Sequence, residues 1–284
     1  ILIHSLYTDR DIFLRELVSN ASDALSRLQF EQLTNTAIID PEASLYIEIK
    51  ADDAAGTLTI SDNGIGMTRD ELIQNLGVIA HSGAKAFIQA MHERKEANAA
   101  DVIGQFGVGF YSAFMVADKI RVVSRSYRPD ERAYAWESTG GDTYSVEEGE
   151  RETRGTDIIL TLKDDAKDYL QPWKLRDIVR RHSDYVAFPI HIGDDEQPAN
   201  KQVALWRQES KEITDDQYDD FYKMLTFDFQ PPAHRIHMRA DVPLQFYALL
   251  YIPNTPDRAM LMQREPGLKL YARKVLIEER NTDL

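Results

Sequence analysis

Glu16, Asn20, Asp23 and Arg27 recur three or four residues apart in FLRELVSNASDALSRL, residues 13–28. On a helix turning about 100° per residue they share an arc of roughly 60°. Phe13, Leu17, Ala21, Ala24 and Leu28 fill the neighbouring arc, and Leu14, Val18 and Leu25 extend it. A helix that is apolar over more than half its circumference is largely buried. A carboxylate, an amide and a second carboxylate stacked turn on turn beside a core suit the wall of a polar pocket. A solvated face with a Glu16–Asn20 contact fits the segment alone equally well.

Asp62 stands in D-x-G-x-G, with Gly64 and Gly66, where a strand ends. Its carboxylate can accept from an exocyclic amine such as adenine N6. The glycines permit positive φ and close backbone approach. Taken alone, an Asx-turn after a strand explains the motif more simply. Met67 follows, apolar and flexible enough to pack on a flat ring, and equally suited to a core. GQFGVGF, residues 104–110, is a glycine-rich turn leading into a helix. Successive N–H groups with a helix start behind them can cradle phosphates. The spacing is neither the dinucleotide-binding nor the P-loop pattern, and no lysine stands within it. A flexible hinge explains it as well, and the two roles are compatible. The seven histidines show no metal-ligand spacing; His234 and His237, three apart, fall in an expected loop. No Gly-x-Ser-x-Gly nucleophile signature occurs.

The elements that must carry these groups follow from periodicity and turn signals. Thr8 or Asp9 can cap the first helix, with Asp11 in its first turn and an end near Leu33. Residues 44–50 and 57–61 alternate as two strands of a hairpin. Thr68 and Glu71 form a capping-box pattern for a helix over 69–76, and a further helix is expected over 84–95. After a helix at 110–116 come strands at 119–124, 133–138 and 156–162, with an acidic, solvated loop at 147–152. Residues 170–185 form an amphipathic helix with Trp173, Ile178 and Val186 on its apolar side, and 188–192 closes this unit. Its expected class is α+β, a mostly antiparallel sheet with helices on one face. GDDEQPAN, residues 193–200, reads as a linker. Beyond it, Thr214 caps a helix, and 244–252 and 268–277 read as strands.

A chain of 284 residues suggests two domains. The net charge of −14 argues against a nucleic-acid surface, which needs a basic patch. The chain has no cysteine, consistent with a reducing cytoplasm, and no apolar run of the ~20 residues that a membrane span needs. It opens at Ile1 without methionine, and a fragment of a longer protein is expected.

E-x-x-x-N on a helix, D-x-G-x-G after a strand, G-x-x-G-x-G before a helix and Gly155-Thr156 opening a later strand occur in that order. The combination resembles the Bergerat-type (GHKL) ATP fold of DNA gyrase B, MutL, sensor histidine kinases and the ninety-kilodalton heat-shock chaperones. LYTDRDIFLRELVSNASDAL, SDNGIGMTRDELIQNLGVIAHSG, IGQFGVGFYSAFMVADK and RGTDIILTL are similar to the last of these families, in its bacterial form. ALWRQ, EITDDQYDDFY and GLKLYARKVLI resemble the start of that family's α/β middle domain.

The resemblance implies an ATP-binding domain over 1–192, a linker over 193–200 and the beginning of a middle domain over 201–284. It implies ATP and Mg²⁺ as ligands, and Glu16 as the base that activates water. Asn20 would be the Mg²⁺ ligand. Asp62 would accept from the adenine amine, with Thr156 in a water network beside it. Asp23, Ala24, Met67, Asn75, Leu76 and Phe110 would line the pocket. Gly104, Gly107, Val108 and Gly109 would form the phosphate-side loop, within a lid over about 77–109. His81 stands where the family usually has lysine, and Arg27 where lysine is also common. Implied partners are unfolded or partly folded clients and, in the full-length protein, a second copy; neither nucleic acid nor membrane is implied. The strand that precedes Ile1 in the family, and a middle-domain arginine beyond Leu284, are expected to be missing. A slow, monomeric ATPase is expected in consequence. A histidine kinase would need a phosphoacceptor helix that is not seen; a gyrase-like ATPase fits poorly with the charge; a non-hydrolysing scaffold fits poorly with Glu16 and Asn20.

Overall fold

The structure, a computed structural model, describes residues 9–77, 108–141, 143–242, 245–254, 267–272 and 274–282. His81, Gly104, Gly107 and the helix expected over 84–95 lie outside them.

Helix α1 runs Ile12–Glu31, and its apolar arc is buried: Phe13, Leu14, Leu17, Val18, Ala21, Leu25 and Leu28. It ends short of Leu33, and its start differs from expectation. Asp11 occupies the N-cap position without a side-chain cap bond, while Asp9 Oδ1 accepts from the Asp11 N–H at 2.9 Å. The Asp11 carboxylate is committed elsewhere. It accepts from the Tyr169 hydroxyl at 2.8 Å and pairs with Lys174 at 3.2 Å.

Seven strands form the main sheet: β1 (Ile47–Asp52), β2 (Thr57–Asp62), β3 (Ala117–Arg125), β4 (Ala133–Ser138), β5 (Ser145–Glu148), β6 (Gly155–Leu162) and β7 (Ile190–Ile192). Their order is β5-β4-β3-β6-β2-β1-β7. Every neighbouring pair is antiparallel except β1–β7. The fold is α+β.

Directly paired residues share a sheet face. The register aligns Ile49, Ile60, Ile158, Val122 and Trp136 across five strands, and all five are buried. β-branched side chains, stiff at χ1, suit this row. Two residues further along the same face lies the row Ile47, Asp62, Thr156, Ser124. The apolar face of the sheet thus ends in a polar edge. α1 packs on β1 and β2 of this sheet.

Glycine is required where loops meet this edge. Gly155 has φ +115°, and a Cβ there would run into the Asp62 carbonyl; Gly66 has φ +60° and lies against the Arg125 carbonyl. Gly155→Ala is expected to cost roughly 3 kcal/mol, from a strained φ and a backbone clash. The thermal midpoint should fall by roughly 6–12 °C; a midpoint within about one degree of wild type contradicts this account.

Several expectations need correction. The segment read as a solvated acidic loop contains the end of β5, an edge strand whose Glu147 and Glu148 pair with Arg121 and Arg132. Charged side chains on a short edge strand discourage further pairing. Trp173, expected on an apolar face, is 66% exposed. Helix α2 begins at Pro172 and ends at His182; Ile178 is buried as expected, with Leu175 and Val179 beside it, and Val186 is buried beyond the helix end. Val108–Met115 is a 3₁₀ helix. Thr68 and Glu71 do form the capping box, but the α-helical turn covers only Arg69–Leu72 and continues as a π turn, Ile73–Gly77.

The chain divides into one unit of residues 1–202 with 272–277, and another of 203–271 with 278–284. Asn200 is buried and donates to the Val186 and Phe188 carbonyls, both at 3.0 Å. It also accepts from the Ile190 N–H at 2.9 Å. In the second unit, Thr214 and Gln217 cap helix α3, Asp215–Thr226. His234 and His237 lie not in a loop but in strand β8 (His234–Ala240), antiparallel to β9 (Phe246–Ile252). Both ring nitrogens of His237 are engaged, by the Tyr218 hydroxyl at 2.6 Å and the Trp206 carbonyl at 3.0 Å. The segment read as one strand over 268–277 is two, β10 (Leu268–Ala272) and β11 (Val275–Asn281). Lys274, at φ 72°, lies between them.

Candidate functional site

The polar stripe of α1 supplies one wall. Glu16 is half-buried and Oε1 accepts from its neighbour Arg15, from Nε at 3.1 Å and from Nη2 at 2.5 Å. Arg15 is itself buried. The other oxygen, Oε2, faces Gly109, where a Cβ would collide with it. A larger residue at 109 would displace the Glu16 carboxylate from this position. Asn20, one turn on, is exposed, and Asp23 and Ala24 are half-buried.

The polar edge of the sheet supplies the opposite end. Asp62 is 6% exposed, and its Oδ1 accepts from the Gly64 N–H at 2.9 Å. The Asx-turn inferred for D-x-G-x-G is therefore real and leaves the second carboxylate oxygen for other work. Burial pushes the Asp62 carboxyl up from 3.8 to about 7, against the Gly64 N–H and the charges of Arg151 and Arg154, which pull it down. Thr156, the register partner of Asp62, shares a hydroxyl–hydroxyl bond of 2.8 Å with Ser124. Ser124 in turn accepts from the Met67 N–H at 2.9 Å. The loop leaving β2 docks on α1. The Ile65 N–H donates to the Ala24 carbonyl at 3.2 Å, and a Cβ on Gly64 would stand 2.7 Å from the Ala24 carbonyl carbon.

Between these ends lie apolar groups. Met67 is half-buried, with the Asn75 amide 3.6 Å from its sulfur. Leu76 and Phe110 are buried in the same core cluster. Phe110 packs edge-on to Trp136, with ring centroids 5.8 Å apart, and the Tyr111 hydroxyl donates to the Leu76 carbonyl at 2.6 Å.

The structure thus brings Glu16 to Gly109, Asp62 to Thr156, Ala24 to the Asp62 loop, and Asn75 to Met67. Val108 is placed only as the first residue of the 3₁₀ helix. Sequence reasoning missed Arg15, Ser124, Arg151 and Arg154. Ser124 becomes visible only once strand register is known. Arg15 lies off the polar stripe, and its sole signal is adjacency to Glu16. Among the described residues, no group of three His, Cys, Asp or Glu side chains is placed to hold a metal, and no helix is long and apolar enough to cross a membrane.

Residues 11–140, which carry α1, the Asp62 loop and the glycine-rich turn, match the family model "Histidine kinase-, DNA gyrase B-, and HSP90-like ATPase". That model alone does not separate its three namesakes. Residues 192–284 match a second model, "Hsp90 protein", which does. The chain belongs to the Hsp90 family. Among curated relatives, the chaperone protein HtpG of Geobacter sulfurreducens is 44% identical over 304 residues, covering 98% of this chain and 47% of the relative. HtpG of Desulfitobacterium hafniense is 45% identical, covering 100% and 46%, and that of Nitratidesulfovibrio vulgaris is 47% identical, covering 100% and 45%. The chain spans about half the length of these relatives. As an Hsp90-family chain it carries a GHKL-type ATPase domain, so nucleotide binding and ATPase chemistry are family properties.

Proposed function

We propose that this chain binds ATP–Mg²⁺ along α1 and hydrolyses it, and that the protein to which it belongs is an ATP-dependent chaperone. The observation that carries the reading is the placement of two different carboxylates along one helix. Asp62 is bound to the loop docked on Ala24, and Glu16 lies eight residues earlier. At 1.5 Å per residue the two ends stand about 12 Å apart along the axis, a span suited to a nucleotide from base to terminal phosphate.

In this reading the free oxygen of Asp62 accepts from the adenine amine, and the Thr156 hydroxyl supports it. Met67, Leu76 and Phe110 supply apolar contact for the base, with Asp23, Ala24 and Asn75 completing the lining. Val108 and Gly109 offer backbone N–H groups to the phosphates; Gly104, Gly107 and His81, outside the described residues, are assigned to the phosphate side by the family resemblance alone. Glu16 takes the proton of the attacking water. Asn20 offers a neutral oxygen, which fits Mg²⁺ held chiefly by phosphate oxygens and water rather than by a protein cage. When bound, that ion would neutralise phosphate charge. Closure of the lid over about 77–109, action on unfolded clients, homodimerisation of the full-length protein and a cytoplasmic location belong to the same proposal. So does the division into an ATP domain over 1–192, a linker over 193–200 and the start of a middle domain.

Calorimetric titration with ATP and ADP, with and without Mg²⁺, tests it. One site is expected, with ATP affinity strengthened by Mg²⁺. Heats that match buffer dilution for both nucleotides would reject the proposal.

A further inference from the structure

Arg10 stands two residues before α1, and its side chain reaches the far end of the 3₁₀ helix Val108–Met115. Nη2 donates to the carbonyl of Met115, the last residue of that helix, at 2.8 Å. Lys163 supplies two more donors there. Its Nζ donates to the Phe114 carbonyl at 2.7 Å, and its N–H to the Val116 carbonyl at 2.9 Å. The last carbonyls of a helix have no partner within it, and cations placed there also meet the negative end of its dipole. The other end of the same helix meets Glu16, since Gly109 lies against Oε2. α1 and the 3₁₀ helix are therefore joined at two points, Arg10 with Met115 and Glu16 with Gly109, and run antiparallel between them.

The contact between those points is apolar. Phe13, Leu14 and Leu17 of α1 share one core cluster with Phe110, Ala113 and Met115. Apolar burial is non-directional, so it holds the two helices together without fixing how far one slides along the other. A charge-assisted hydrogen bond has a preferred length and direction. Arg10 also pairs with both carboxylate oxygens of Asp165 at 3.2 Å, but the Asp165 side chain is 72% exposed and such pairs contribute little. The bond to the Met115 carbonyl is the more shielded of the two.

We propose that Arg10 is a positioning residue for ATP hydrolysis, with Lys163 as a second tie. It sets the register of α1 against the 3₁₀ helix and so keeps the Glu16 carboxylate beside the N–H groups of Val108 and Gly109. The inference rests on the nucleotide reading above. In this role Arg10 touches neither water nor nucleotide; it governs the distance between the base and the phosphate that the water attacks. A displacement of about 1 Å there can cost about 10²-fold in rate. Affinity depends on it less, because the adenine end of the site is carried by Asp62 and its loop.

The test is single-turnover ATP hydrolysis and ADP affinity on wild type, Arg10→Met, Arg10→Lys and Asp165→Asn. In Arg10→Met the rate is expected to fall at least about tenfold while ADP affinity stays within about threefold of wild type. Arg10→Lys keeps a charged donor for the Met115 carbonyl and should return the rate to within about threefold. Asp165→Asn removes the ion pair, leaves the carbonyl bond and should hydrolyse ATP as wild type does. The proposal is overturned by a wild-type rate in Arg10→Met, by equal losses of rate and affinity, by a loss that lysine does not restore, or by an equal loss in Asp165→Asn. If Arg10→Met does not fold, Lys163→Met takes its place: a loss of at least about threefold in rate at unchanged ADP affinity is expected, and a wild-type rate overturns the proposal. Glu16→Gln separates the two readings. If that variant hydrolyses ATP as wild type does, the assignment of the base fails; if it loses hydrolysis while Arg10→Met keeps the wild-type rate, only the role of Arg10 fails.

Discussion

Glu16→Ala is expected to reduce ATP hydrolysis by about 10²–10⁴-fold while nucleotide affinity stays within about threefold of wild type. The asymmetry follows from what the carboxylate touches. In the proposed role Glu16 works on the water and not on the nucleotide, so its removal would withdraw an interaction made in the transition state alone. The loss corresponds to about 3–5 kcal/mol of barrier. The neighbouring arginine adds a second, separable effect. Glu16 is the acceptor for two donors of Arg15, whose side chain is 7% exposed. Alanine leaves that guanidinium buried and unpaired, which costs roughly 3–5 kcal/mol of stability. Glu16→Gln keeps an oxygen for Arg15 but carries no base. Both variants should lose hydrolysis, and only alanine should unfold markedly earlier. Steady-state phosphate release, calorimetry and thermal unfolding on the pair read the three quantities independently. Substantial turnover by Glu16→Gln would remove Glu16 as the base.

Why the helix was legible and other parts were not comes down to range. α1 is specified by its own period: seven apolar side chains point inward because they recur at helical spacing, and the polar stripe is what remains. The glycines of the Asp62 loop are likewise a local signal for close backbone approach. Register is different. Nothing near Ser124 in the chain marks it as a neighbour of Thr156, because the pairing of β3 with β6 joins residues 32 apart. The same limit explains β5 and β8. An acidic run and a histidine-containing segment look like loops until an antiparallel partner takes up their backbone groups. Trp173 misleads for another reason. Its size suggests burial, but α2 starts at Pro172 and buries the faces at Leu175, Ile178 and Val179, leaving the first-turn tryptophan outside. Arg154 gave no signal because a buried, under-satisfied cation violates the rule by which arginine is read as surface. Such violations concentrate where function competes with stability.

Asp62→Asn brings that competition to a measurable point. The Gly64 N–H requires an acceptor, so the amide oxygen of asparagine takes the position of Oδ1. The amide NH₂ then occupies the place of the second carboxylate oxygen and presents a donor to the donor amine of adenine. Loss of that bond, with two donors opposed in a buried site, should weaken binding at least about a hundredfold. Stability of the unliganded protein should move the other way. The Asp62 carboxyl is raised from 3.8 to about 7 by burial, so the native state favours its neutral form. The contribution of this group to stability is therefore fully present below about pH 4 and is lost as pH rises through 7. At 1.36 kcal/mol per pH unit the cost at pH 8 is at most about 4 kcal/mol. Asparagine carries no charge to desolvate. Asp62→Asn should unfold at a higher temperature than wild type at pH 8, and the gap should close as the pH falls toward 4. Equal melting temperatures at pH 8 would mean that Asp62 is not ionised against a desolvation cost. Retained ADP affinity would mean that it does not read the base. The two results together distinguish a carboxylate maintained for recognition, at the expense of the fold, from one that merely completes a turn.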